Sequence, residues 1–315
     1  MKQSKLIKKH KYNKIGLLTV VALSFILSGC GTSNSSSVTG GKIIQAVGAE
    51  NEYADVIKQI GGKYVSVIGI MSNPSADPHS YEANTKDSRA VSNADLIIEN
   101  GLGYDDFMDK LEASSQNSNR KIINVAKTLG YGDNTKNPHL WYKPDTMTRV
   151  AETITKYFET KFPDKKSYFE SNLTKFNASL KPFNNDIKQI QEQYAKAGVA
   201  VTEPVSDYML EAADLDIKTP WAYQAAVMNG TDPSPQNVKI QEDIMKNKKV
   251  KVFIYNQQAI DDSTTALLKL AKSNNIPIVG VYETMPPNYS YQKWMQTEAD
   301  SIIKALKYGV SREKI

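Results

Sequence analysis

The chain is predicted to be an α/β protein: two parallel-sheet lobes joined by a long helical connector. Three observations carry this. Short β-branched runs alternate with longer amphipathic segments in both halves of the chain. Those runs are apolar almost throughout, as in strands covered on both faces. Strand signals stop between Pro144 and about Ala197, where apolar residues recur at helical spacing.

The first 29 residues read as an export signal. Lys2, Lys5, Lys8, Lys9, Lys11 and Lys14 precede an apolar run of 13 residues, Ile15 to Leu27. That run is too short to span a bilayer comfortably. It ends in LSGC at 27–30, with small residues before the one cysteine of the chain, Cys30. This resembles the site at which bacterial lipoproteins are cleaved and acylated, so Cys30 is expected to carry a lipid anchor. Residues 30–41 continue as a Gly/Ser/Thr/Asn tether without hydrophobic period.

The formal net charge of +5 belongs to the signal, which holds six of the 39 basic residues and none of the 34 acids. The remaining 33 bases and 34 acids leave a mature chain at −1. A nearly neutral surface argues against nucleic acid as a partner. About 285 residues remain, enough for two lobes that each bury a core.

The N-terminal lobe is expected over 42–160. Its strands are read at 43–48, 64–70, 95–101 and 121–126, with helices at 53–62 and 85–94 between them. Asp145 caps a helix that runs to Phe162. The connecting helix is placed at 161–197, and Pro182 inside it is expected to kink or split it. The C-terminal lobe, 198–315, has strands at 198–204, 249–256 and 276–283 and a helix at 264–274. The loop GTDPSPQN at 230–237 reads as structural, with Asp232 and Ser234 as helix caps.

Pro-His occurs twice, in 75-SADPHSYEA-83 and in 136-KNPHLWY-142, and supplies two of the three histidines of the chain. His79 and His139 each lie beyond the C-terminal end of a predicted strand. So do Glu203 and Glu283 in the other lobe. Open parallel sheets bind ligands at those ends. If the lobes face each other, two imidazoles and two carboxylates converge in the interlobe cleft, a sound donor set for one divalent transition metal. Taken singly each residue has a plainer reading, the histidines as polar loop residues and the glutamates as solvated surface groups. Asp207, one turn beyond Glu203, reads either as a group that orients a ligand or as an exposed helix acid. Asn256 reads as a cleft residue or a strand-end turn. Trp141 and Tyr142 are expected to pack beneath the second loop.

Two long motifs, 77-DPHSYEANTKDSRAVSNADLIIENGLGYDDFMDKL-111 and 137-NPHLWYKPDTM-147, resemble the metal-binding solute receptors of bacterial manganese and zinc ABC importers. Gram-positive members of that family are lipoproteins once described as adhesins. The resemblance runs from about Lys42 to the C-terminus. It implies that His79 and His139 are the N-lobe ligands, with Glu203 where many zinc receptors have a third histidine and Glu283 as the fourth donor. The His-rich loop of the zinc branch is missing, and His10 is lost with the signal. A carboxylate in place of an imidazole favours harder ions, so Mn2+ is expected slightly ahead of Zn2+, with Fe2+ third. The implied protein is a monomer on the outer face of the cell membrane, lipid-anchored at Cys30, which delivers its ion to an ABC permease. No catalysis is expected. The alternatives are a metal-dependent hydrolase and a surface adhesin with a structural metal.

Overall fold

The computed structural model describes residues 43–75, 78–115, 117–132 and 134–315. The expected signal, Cys30 and the tether lie outside those residues. In chain order the first lobe contains β1 (Ile44–Glu50), α1 (Asn51–Gly61), β2 (Val65–Met71), α2 (Thr85–Asn93), β3 (Leu96–Glu99), α3 (Phe107–Ala113), β4 (Lys121–Asn124) and α4 (Val125–Leu129). Three helices follow: α5 (Thr146–Lys161), α6 (Lys166–Ser179) and α7 (Lys181–Tyr194). The second lobe runs through β5 (Gly198–Val201), α8 (Asp207–Ala212), β6 (Asp216–Ile217), α9 (Trp221–Met228), α10 (Pro235–Lys246), β7 (Val252–Asn256), α11 (Asp262–Ser273), β8 (Ile278–Val281) and α12 (Tyr291–Tyr308).

Each lobe holds one four-stranded parallel sheet, ordered β2-β1-β3-β4 and β6-β5-β7-β8. In both, the chain first moves to one side of its opening strand and then returns to the other. The crevice at such a reversal lies at the C-terminal strand ends, which carry Glu50 and Asn100 in one lobe and Glu203 and Asn256 in the other. Every residue of β3, β5, β7 and β8 is buried, as in strands covered on both faces.

Two expectations are refined. The strand read at 121–126 stops at Asn124, whose side chain accepts from the Lys127 amide at 3.0 Å and so caps α4. The connector is two helices. Pro182 sits in the first turn of α7 and has no amide hydrogen with which to continue the ladder of α6. Leu180, between them, keeps near-helical dihedrals (φ −81°, ψ −13°), so the joint is tight. The two-residue strand β6 has no periodicity from which it could be read.

One apolar core runs through both lobes and the connector. It joins Ile98, Phe158 and Phe169 to Ile187 and Ile190 of α7, and these to Val199, Val252 and Met295. Helix α6 packs on α1 and α5, whereas α7 lies along α12. Polar bonds close the same boundary: Asn51 donates to the Met285 carbonyl at 2.7 Å, and the Tyr291 amide to Asp55 at 2.9 Å.

Candidate metal centre

The first Pro-His motif forms a 3₁₀ turn at Pro78–Ser80 after β2, and the second leads into a like turn at Leu140–Tyr142. Glu283 lies two residues past β8. These three segments bring His79, His139 and Glu283 together, with one donor atom of each within 4.8 Å of the others. His79 Nε2 lies 3.3 Å from Glu283 Oε2, and His139 Nε2 lies 3.2 Å from the same oxygen. The side chains of His139 and Glu283 are wholly buried, while that of His79 is 27% exposed.

The surroundings fix how each donor points. Asn137 Nδ2 donates to the Pro204 carbonyl at 2.8 Å, so Oδ1 is its acceptor. That oxygen receives the His139 amide at 3.0 Å and stands 2.7 Å from His139 Nδ1. Nδ1 is therefore the nitrogen that donates to Asn137, and Nε2 is the one that faces the site. Burial pushes the His139 imidazole below its ordinary value, and the neighbouring Glu283 only partly opposes this. Burial alone would raise the Glu283 carboxyl, but hydrogen bonds and charge from His139 and His79 outweigh it and hold the group below the usual carboxylate range. A neutral imidazole and an ionised carboxylate are the forms that bind a metal ion.

Glu283 is held from four sides. Asn256 donates to Oε1, and Tyr104 donates to Oε2 at 3.1 Å. Gln258 Oε1 accepts the amides of Glu283 and Thr284 at 2.7 and 2.9 Å. The Tyr142 hydroxyl stands 2.5 Å from both the Tyr282 carbonyl and Glu298 Oε2. One hydroxyl proton cannot serve two acceptors, so Glu298 supplies the second; burial raises its carboxyl to about 8. Tyr142 thus packs beneath the second loop, fully buried, and also steadies the strand end that carries Glu283.

Tyr104 is placed by a turn with three successive left-handed residues, Gly101 (φ 83°), Leu102 (φ 59°) and Gly103 (φ 79°). Asp105 holds it by accepting the Asn100 and Gly101 amides at 2.5 and 2.8 Å. Asn100 in turn donates to the Pro138 carbonyl at 2.9 Å, tying this turn to the His139 loop.

Of the four ligands expected, Glu203 is not within this set. It is buried (3% exposed) two residues past β5, next to the Pro204 carbonyl that Asn137 grips. Asp207 is not the exposed acid of the plainer reading: it is 6% exposed, and burial lifts its carboxyl to about 8. Asn256 does face the cleft, bonded to Glu283. Asn137, Tyr104 and Gln258 were not expected. The position of Asn137 could have marked it, since both motifs place an Asp or Asn two residues before the histidine.

The family described as zinc-uptake complex component A, periplasmic (ZnuA) matches residues 47–305. The chain belongs to that family. Among its relatives, the manganese ABC transporter substrate-binding lipoprotein scaA of Streptococcus gordonii is 25% identical over 317 residues, 93% of this chain and 99% of its own. The manganese-binding lipoprotein MntA of Bacillus subtilis is 28% identical over 164 residues, 50% of this chain and 53% of its own. The ZnuA-family fold is shared with a cadmium-bound periplasmic metal binding protein from Candidatus Liberibacter asiaticus, at 20% identity and a TM-score of 0.69, with 84% of this chain and 100% of that one covered. FpvC from Pseudomonas aeruginosa, in complex with Mn2+, matches at 20% identity and 0.69 over 85% of this chain and 99% of its own. Among the described residues no helix is long and apolar enough to cross a membrane.

Proposed function

We propose that this protein captures one divalent transition-metal ion between its lobes and presents it to an ABC permease, anchored on the outer face of the cell membrane through Cys30. One observation carries the reading. Two imidazole Nε2 atoms converge at 3.2 and 3.3 Å on a single oxygen of a buried carboxylate, and Asn137 Oδ1 accepts a hydrogen bond from Nδ1 of one of them. A divalent ion at that point would take both Nε2 atoms and the carboxylate as donors, and the carboxylate would offset part of its charge.

His79, His139 and Glu283 are the proposed core of the site, and Glu203, one residue from the gripped Pro204 carbonyl, is the proposed fourth donor. Mixed imidazole and carboxylate donors suit Mn2+, while the general affinity order makes Zn2+ a strong competitor. The curated relatives include lipoproteins named for manganese transport, which supports Mn2+ as the cargo. Membership of a binding-protein family supports capture without catalysis. The lobes share one core and a stitched boundary, so binding is expected to reorder loops more than to swing whole lobes.

Calorimetric titration with Mn2+ and Zn2+ tests the assignment. His139→Ala, Glu283→Ala and Glu203→Ala should each lose at least about 100-fold in affinity, beyond the 10–100-fold typical of outer-sphere losses. Unchanged affinity in the first two variants would remove this reading.

A further inference from the structure

Glu283 and His139 have wholly buried side chains, so an ion arriving from water meets the partly exposed ring of His79 first. A cavity of about 350 Å³ has His79 and Tyr104 in its wall, and Tyr104 touches Glu283. The cavity lies between the lobes: Lys136 contributes from the loop that leads to His139, and Trp221, Ala225 and Met228 line it from α9. At about 30 Å³ per liquid water it has room for about ten waters, so an octahedral ion fits with its hydration shell.

We infer that this cavity is the passage through which the ion reaches and leaves His79, with Ala225 of α9 forming a wall of its bore and Lys136 its charged mouth. The inference rests on the proposed metal site. Ala225 is a half-buried methyl on an eight-residue helix and is itself no donor. A large side chain there narrows the passage without touching the ligands. By microscopic reversibility it slows uptake and release alike. Lys136 is exposed and has no ion-pair partner among the described residues. Its charge opposes an approaching cation, and a carboxylate there attracts one.

The test is stopped-flow kinetics on the full chain in detergent micelles, with free Mn2+ followed by a competing fluorescent chelator. Ala225→Trp should lower the association and dissociation rate constants together, by about tenfold, with Kd within about threefold of the parent. Lys136→Glu should raise the association rate about threefold or more at low salt, and the gain should vanish near 1 M salt. Circular dichroism reports whether Ala225→Trp folds; if it does not, Lys136→Glu decides alone. Parental rates in the folded variants would overturn the passage, as would a change confined to Kd. Failure of the parent chain to take up Mn2+ would count against the metal site itself, a result the variants do not mimic.

Discussion

Asn137 does two tasks with one amide. Its oxygen orders the His139 ring and its nitrogen grips Pro204 in the opposite lobe. Substitutions separate the tasks. Asn137→Ala should weaken Mn2+ binding by about 10–100-fold, because the ring loses its acceptor and its preferred tautomer. Asn137→Asp keeps an acceptor for Nδ1 and should hold affinity within about tenfold of the parent, while losing the bond to Pro204 at a cost of about 1–2 kcal/mol. Calorimetry reads the first effect and urea denaturation the second. Equal affinity loss in both variants would argue that Asn137 acts only through the lobe boundary. The Pro-His repeat was legible in the sequence because each motif is local. Asn137 escaped notice because its value lies in a contact 67 residues away.

The turn from Asn100 to Asp105 is the least forgiving element near the site. Gly101 sits at φ 83°, and a Cβ there would stand 2.6 Å from the Asn124 side chain. Gly101→Ala combines a left-handed backbone penalty with this clash, so unfolding free energy should fall by at least about 1–2 kcal/mol, measured by chemical denaturation. Tyr104, carried by the same turn, should shift with it, and Mn2+ affinity should fall as well. Strands were readable from their β-branched runs, and the helical break from Pro182. The handover from β4 to α4 was not, since 121-KIINVA-126 stays apolar across the change and only the Asn124 cap marks it. Helix α9 was overlooked for a related reason. It is apolar with little amphipathic contrast, because one side packs in the lobe and another lines the cavity.

Several carboxyls in the molecule are buried enough to keep their protons well above the usual range. Burial raises Glu52, Asp207 and Glu298 to about 8 and Asp105 to about 7. In the unfolded chain these groups ionise near 4.5 or 3.8. Between those limits the folded state binds more protons, so stability falls as pH rises. The buried His139 works the other way: its folded value is lowered, and it costs stability as pH drops through 6.5. Four acids outweigh one imidazole, and the metal-free protein should melt at a higher temperature at pH 5.5 than at pH 8.5. Scanning calorimetry in the presence of a chelator reads this directly. A melting temperature that climbs with pH would mean that those carboxyls are ionised in the fold.

By itself the sequence determined the two-lobed parallel fold and the place of both Pro-His motifs and both glutamates beyond strand ends, because each is written in local pattern: β-branched runs, helical spacing and a repeated Pro-His. Tertiary structure decided which donors meet. Two histidines converge on one oxygen of Glu283, Glu203 is outside that cluster, Asp207 is buried, and Asn137, Tyr104, Tyr142 and Gln258 set the orientation. Those are matters of distance between residues far apart in the chain. Local periodicity records which face of an element is buried, but not which partner it is buried against.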